Sequence, residues 1–174
     1  MFLQAQLQSL AAQKTLPAEV VVRDDASQDG TLAILESFQA QAPFPVRILR
    51  NQARLGVIRN FEQAISYCNG GIIALCDQDD VWYPDKLTRI RDAFSANPES
   101  GLGFTDGDIV DEKMRSLGYR LWESIKFTPR RQQMLRDDRA FQALLKRDTV
   151  TGATMAFRAA LVPVILPFCD EGMH

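Results

Sequence analysis

"EVVVRDDASQDGTLAILESFQAQAPFPVRILR", Glu19 to Arg50, holds two strand signals with a helix signal between them. Val20, Val21 and Val22 form a β-branched run that ends in Asp24-Asp25. "ASQDG" then reads as a turn, with Ser27 or Asp29 as candidate helix caps. From Thr31 to Gln41, Leu32, Leu35 and Phe38 recur at helical spacing. "APFP" breaks that helix, and "VRILR" (Val46 to Arg50) is the next strand. Strand, helix, strand in this order predicts a parallel pair joined by a right-handed crossover.

The same rhythm extends in both directions. Upstream, Leu3, Leu7 and Leu10 define an amphipathic helix. Downstream, a helix is predicted from about Gly56 to Cys68, with Val57, Phe61, Ala64, Ile65 and Cys68 on its apolar face and Asn69-Gly70-Gly71 at its end. "IIALC" (Ile72 to Cys76) is continuous apolar sequence, as in a parallel strand covered on both faces. Pro84 suits the first turn of a helix carrying Leu87, Ile90 and Phe94, closed by Asn97-Pro98. The fold class is therefore α/β with a mostly parallel central sheet. Alternating folds usually open on a strand, and this chain opens on a helix, so the expectation is that a first strand is missing from it.

Past Pro98 the pattern loosens. "GLGF" reads as a strand, and "TDGDIVDEKMRSLG" (Thr105 to Gly118) as a hairpin-like excursion. Tyr119 to Arg136 is basic and irregular, with Trp122 and Phe127 as isolated aromatics. A helix is expected from about Asp138 to Lys146, a strand in "TVTGATMAFR" and a short helix running into a loop in "AALVPVILPF". The whole, residues 1–174, is read as a single domain with a ligand-binding half over about 1–98 and a second half over about 99–174.

Composition narrows the function classes. The 174 residues are 46% hydrophobic and 24% charged, with a net charge of −2. A nucleic-acid binder would usually carry a basic face, so nucleic acid is not an expected partner. The basic residues between Arg115 and Arg147 are interrupted by acids and read as a solvated face. Cys68, Cys76 and Cys169 have no CxxC spacing, and Cys68 and Cys76, on apolar faces, read as small hydrophobes in a reducing compartment. No apolar run approaches the ~18 residues of a membrane span, so the chain reads as cytoplasmic.

The chemistry is written in acids. Asp77, Asp79 and Asp80 follow the apolar "IALC" directly. Two carboxylates about 4 Å apart repel by roughly 1 kcal/mol in bulk water and about four times that near a protein surface. Such a group must face water, share a proton or hold a cation. Asp77 and Asp79, two apart, would point the same way from an extended backbone, which suits a hard divalent cation, Mg or Mn, that bridges to substrate phosphates. Asp24-Asp25 also ends a strand, where open parallel sheets bind ligands, although a turn and a helix cap explain that pair equally well. The sequence has no glycine-rich phosphate loop and no Ser-His-Asp set, and its single histidine is His174.

Three motifs, "VVVRDDASQDGT", "NQARLGVIRNFEQAI" and "IALCDQDDVWYPDKL", together resemble glycosyltransferase family 2, and in particular its bacterial rhamnosyltransferase-like members. The later "TDGDIVDEKMRSLG" and "VTGATMAFRAAL" extend the resemblance along most of the chain. It implies a GT-A fold, the Rossmann-like fold of nucleotide-diphospho-sugar transferases. It also implies a metal-dependent inverting transfer of a sugar, rhamnose in the nearest members, from a UDP-, GDP- or dTDP-sugar. The acceptor would be a saccharide or lipid-linked hydroxyl in cell-surface polysaccharide or lipopolysaccharide synthesis, with peripheral association at the inner face of the membrane. By position, Asp25 would meet the donor base with Asp24 beside it, and Arg59 would lie near the nucleotide. Asp77 and Asp79 match the family's D-x-D as catalytic, metal-assisting residues, with Asp79 the principal metal ligand and Asp77 its companion. Asp77 and Asp80 would also line the nucleotide, Trp82 would shape the pocket, and Asp106 matches a further family acid of unassigned role. The resemblance further implies a first strand of the type V-x-V-I-x-x-Y-N and a general base just beyond His174, neither of which is in the chain. Met114 stands where the family commonly has glycine.

Two other readings stay open on sequence alone. One is a catalytically incomplete nucleotide- and metal-binding fragment. The other is a haloacid-dehalogenase-type phosphotransferase, since "DQDDV" fits a bare D-x-D-x-V pattern after an apolar strand.

Overall fold

The computed structural model describes residues 2–136 and 150–168. Helix α1 (Phe2–Ala11) leads to β1 (Val20–Asp24), α2 (Thr31–Gln39), β2 (Val46–Arg50), α3 (Val57–Ser66), β3 (Ile72–Ala74) and α4 (Lys86–Ala96). Then come β4 (Leu102–Phe104), β5 (Asp108–Val110), β6 (Ser116–Arg120), α5 (Leu121–Ser124), α6 (Pro129–Arg136) and β7 (Met155–Arg158). A short helix, Val162–Ile165, follows. Two compact units result, one running to Gly103 and resuming at Ala156, the other from Phe104 to Met155.

In the first unit, β1 and β2 pair in parallel, Val20 opposite Val46 and Asp24 opposite Arg50. This is the pair predicted from Glu19 to Arg50. Val20 and Val22 share one face of β1 and pack with Leu10, Phe44, Val46 and Trp82. β3 pairs with β7, antiparallel, Ile73 opposite Phe157, and β4 lies on the far side of β7 in the order β3-β7-β4. The sheet is thus α/β in connection but split: a parallel pair and a three-stranded sheet with an antiparallel ladder. A second apolar cluster, Ile90, Phe94 and Ala156, packs α4 against the latter.

Several local expectations change. Val57, placed on the apolar face of α3, is 73% exposed, because the helix begins there and Ile65, two turns on, carries the buried contact. Pro84 precedes α4 by a turn, with Asp85 at the cap position. Asp29, not Ser27, reaches the start of α2: its Oδ1 accepts from Thr31 N at 3.0 Å. The predicted helix over 138–146, Cys169 and His174 fall outside the described residues.

In the second unit the segment read as irregular is helical in α5 and α6. These helices are too short for a 3.6-residue pattern to stand out. Trp122 and Phe127 are not isolated: with Phe104 they form an aromatic cluster whose ring centroids lie 5.1–6.0 Å apart. The hairpin β5-β6 turns on Asp111, whose Oδ1 accepts from Lys113 N and Arg115 N. Met114 there has φ +60°, the left-handed region that favours glycine. Met114→Gly is therefore expected to raise stability by about 0.5–1 kcal/mol, after glycine's own entropy cost. Urea denaturation measures it, and an unchanged or lowered midpoint refutes it.

Candidate functional site

β1 ends in Asp24, which the pairing to β2 holds in place: Asn51 N donates to Asp24 O at 2.9 Å. The Asp24 side chain is buried, its Oδ2 accepting from Ser27 N at 3.1 Å, with Arg50 Nε 3.7 Å away. Its Oδ1 is buried with no hydrogen-bond partner among the described residues. A buried acceptor left unmatched is costly in a fold. Two residues on, Ala26 is held at φ +59°, a conformation that L-residues other than glycine avoid and that recurs at functional turns.

Asp25 is committed to its own chain. Oδ1 accepts from Leu55 N at 2.7 Å and Asn51 Nδ2 at 2.8 Å, and Oδ2 accepts from Gly56 N at 2.9 Å. These donors, the Leu55 amide first, hold its pKa below the usual carboxylate range. Asp25 thereby fixes the loop that starts α3, and Gly56 there takes φ +82°. Asn51 and Asn60 complete the network: Asn51 Nδ2 also donates to Asn60 Oδ1 at 2.9 Å, and Asn60 Nδ2 donates to Arg23 O at 2.8 Å. Sequence reading missed both asparagines. Their only signal was a polar residue directly after β2 and another on the first turn of α3.

Arg59 lies on α3 and pairs with Glu62, Nη1 to Oε2 at 3.0 Å. Glu62 Oε2 also accepts from Phe168 N at 2.8 Å, tying α3 to the end of the described chain.

The second acid group differs in shape from its expectation. Residues 77–80 form a turn closed by Asp80 N and Asp77 O at 3.4 Å, so the backbone is not extended between Asp77 and Asp79. A turn brings residues i and i+3 together, which makes Asp80 the nearer neighbour of Asp77 in charge. Accordingly, the Asp77 pKa is raised by burial first, then by the Asp80 and then the Asp79 charge. Asp80 is raised by burial and then by Asp79. Asp79 is the exposed member of the three. Lys86 moderates both raised acids, and its own pKa is lowered, chiefly by burial. Its Nζ lies 4.0 Å from the centroid of the Trp82 ring, a cation–π contact that also holds Trp82.

Helix α1 and Gln13, just after it, hold this loop. Trp82 N donates to Ser9 Oγ at 3.0 Å, Gln13 Nε2 donates to Tyr83 O at 2.8 Å, and Leu87 N donates to Gln13 Oε1 at 3.1 Å. Gln6 Nε2 donates to Cys76 Sγ at 2.9 Å, and burial pushes the Cys76 thiol up to about 12, so it is an inert packing group. Ser9, Gln13 and Lys86 were not singled out from sequence, since polar residues on a helix read as solvated until their partners are known.

All-carboxylate oxygen donors suit a hard divalent cation, and two acids whose charge the fold disfavours would gain from one. Among the described residues no group of three or more metal-ligating side chains already converges. Asp106 serves the second unit instead: Oδ1 accepts from Trp122 N at 3.0 Å and Oδ2 pairs with Arg120 Nε at 2.7 Å. The large cavity of the first unit lies between β1 and β3 and is lined by none of Asp24, Asp25, Asp77, Asp79 or Asp80.

A family model described as glycosyl transferase family 2 matches residues 2–148. The chain is 34% identical over 100 residues to the dTDP-rhamnosyl transferase RfbG of Shigella flexneri, covering 55% of this chain and 35% of that one. Its structure is similar to that of the mannosyltransferase PcManGT from Pyrobaculum calidifontis in complex with GDP-Man and Mn2+, at a TM-score of 0.66 and 18% identity, covering 98% of this chain and 44% of that one. Residues 1–349 of S. aureus TarS in complex with UDP-GlcNAc superpose at a TM-score of 0.66 and 18% identity, covering 94% of this chain and 43% of that one. The chain spans about a third of the length of the curated relatives it matches.

Proposed function

The chain belongs to glycosyl transferase family 2 and has the GT-A fold, and from that premise we propose that it binds a nucleoside-diphosphate sugar for metal-dependent, inverting transfer to a hydroxyl acceptor. The observation that carries this reading is the turn of Asp77, Asp79 and Asp80, where burial and neighbouring charge oppose ionisation. Crowded carboxylates of this kind are relieved by a proton or by a cation, and the family membership favours the cation here. Asp77 and Asp79 are the residues that would hold Mg or Mn, since carboxylate oxygens suit such a hard cation. When bound, such a cation stabilises charge on the departing diphosphate.

The chain's own residues supply the rest. Asp24, with a buried carboxylate oxygen free to accept, is the nucleotide contact on the β1 side. Asp25 positions the loop before α3 through Leu55 and Gly56 and sits at the nucleotide through that loop. Arg59 and Asp80 are assigned to the nucleotide edge, and Trp82, clamped between Ser9 and Lys86, shapes the wall. The base that deprotonates the acceptor is assigned to no residue of this chain.

The donor assigned is a dTDP-sugar, rhamnose in particular, because a relative at 34% identity carries that name. Cell-surface polysaccharide or lipopolysaccharide is the corresponding product class, made at the cytoplasmic face of the membrane. No described helix is long and apolar enough to cross a membrane. The phosphotransferase reading of Asp77 gives way to the family match.

Calorimetry with dTDP-rhamnose, UDP-glucose and GDP-mannose, each with and without Mn, tests the proposal. Binding that requires Mn and is strongest for the dTDP-sugar is the expected result. Equal binding without metal, or none to any donor, overturns it.

A further inference from the structure

Lys86 is the first residue of α4, a place that disfavours an ammonium group in two ways. The positive end of the helix dipole meets it there, where carboxylates rather than cations are stabilising, and the first turn of α4 holds no acidic residue. Asp85, at the cap position, is engaged elsewhere: its Oδ2 accepts from Arg89 Nε at 2.6 Å. Lys86 is also half-buried, and burial lowers its pKa. A cation kept in such a position needs a counterweight.

The counterweight is the turn of residues 77–80. Lys86 N donates to Tyr83 O at 3.0 Å and Leu87 N to Gln13 Oε1 at 3.1 Å, so the backbone that carries the ammonium is fixed. Its Nζ lies 4.0 Å from the centroid of the Trp82 ring, and Trp82 is itself buried, two residues after Asp80. The carboxylates that act on the ammonium are those of Asp80 and Asp77. The Cys76 thiol, also close, is pushed up to about 12 by burial and stays neutral, so it supplies no charge. Asp77, Asp79 and Asp80 against Lys86 leave two negative charges unmatched, the number that one divalent cation neutralises.

We propose that Lys86 is a positioning residue that sets the charge specificity of the acid turn: its ammonium is a resident counter-cation that limits the turn to a single divalent ion, loosely held. The inference rests on the assignment of a cation to Asp77 and Asp79 above, and is independent of the choice of donor. A fixed positive charge repels an arriving cation in proportion to that cation's own charge. Removing it therefore favours every cation, and a trivalent one more than a divalent one. Loss of packing has the opposite signature, since a loosened turn holds its ligands less well and binds every cation more weakly. A gain in affinity that grows with ionic charge thus separates the ammonium's charge from its place in the fold.

Metal titration of the 174-residue chain at one fixed pH tests this. Manganese is read from the paramagnetic resonance of the free ion, and terbium from luminescence excited through tryptophan, counting only signal that Asp79→Ala removes. Lys86→Met keeps an unbranched stem against the Trp82 ring without the charge, and Lys86→Arg keeps the charge. Lys14→Met is the control, an exposed lysine whose amide donates to Pro84 O in the same loop. Lys86→Met should bind manganese about tenfold tighter than wild type and terbium about thirtyfold tighter, as the ratio of ionic charges requires. Lys86→Arg and Lys14→Met should stay within about threefold of wild type, the latter because solvent screens an exposed charge. A wild type too weak to titrate beside a Lys86→Met that binds also supports the inference. Urea melts check folding, and Lys86→Gln, with the same expectation, replaces Lys86→Met if that variant is unfolded. Unfolding of both overturns the inference, since the ammonium is then a requirement of the fold. Unchanged or weaker manganese binding by the folded variant, an equal gain for both ions, or an equal gain in Lys14→Met overturns it and leaves the cation site standing. No manganese binding by any of the proteins, with or without dTDP, overturns both.

Discussion

Asp25→Ala is expected to cost roughly 2–4 kcal/mol of stability, read as a lowered urea midpoint with an unchanged slope. The carboxylate accepts from three donors, Leu55 N, Gly56 N and Asn51 Nδ2. Hydrogen bonds to a charged group are worth about 1.5–3 kcal/mol each when well shielded, and partial exposure here discounts the sum. Asn51 is buried, so the substitution removes one of the two acceptors of a buried amide, leaving it Asn60 Oδ1, and frees a loop. Asp25→Asn should recover part of the loss, because its Oδ1 can still accept from Leu55 N and Asn51 Nδ2 while its Nδ2 faces the Gly56 donor. The pH dependence has a definite sign. Asp25 has a folded pKa below its ordinary value; its contribution is complete above about pH 4 and is lost as pH falls through the folded value. Wild type and Asp25→Ala should therefore converge in stability in acid and differ most at neutral pH. A constant difference between pH 7 and pH 2.5 would remove the charge from the account.

That network also marks where sequence reading stops. The βαβ unit from Glu19 to Arg50 was legible because β-branched runs and 3.6-residue spacing are local signals, and β2 falls on the predicted residues. Asp25 was legible as chemistry, but its partners sit in a loop that only folding brings back, so a ligand contact and a loop anchor looked alike. Asp77 to Asp80 shows the same limit at shorter range. An Asp-x-Asp spacing implies a shared direction only if the backbone is extended, and the 77–80 turn changes which pair is close. Trp122 and Phe127 looked isolated because their partner, Phe104, lies on another element. What periodicity cannot carry is contact across the chain, and both the site and the second unit are built from it.

The acid turn allows a prediction in which stability and binding move in opposite directions. Asp77→Asn should lower Mn-dependent donor affinity by about 100-fold or more, in line with loss of a ligating carboxylate and its charge. The same substitution should raise, or leave unchanged, the stability of the metal-free chain. In the folded chain the Asp77 pKa is raised by burial and by Asp80 and Asp79. A raised carboxylate makes the folded state hold its proton longer than the unfolded one. Metal-free stability therefore falls as pH rises from about 4 through the folded value, and the deficit is full above it. Asparagine removes that ionisation, so the variant's stability should lack this part of the decline, with the Asp80 part remaining. Asp79→Ala provides the contrast: Asp79 is exposed and contributes repulsion to both neighbours, so its removal should also relieve the turn while abolishing metal-dependent binding. Calorimetry with Mn and a dTDP-sugar, paired with urea melts across pH without metal, reads both quantities on the same proteins. If Asp77→Asn weakened binding and destabilised the metal-free chain together, Asp77 would be a structural residue of the turn, and its assignment to the cation would fail.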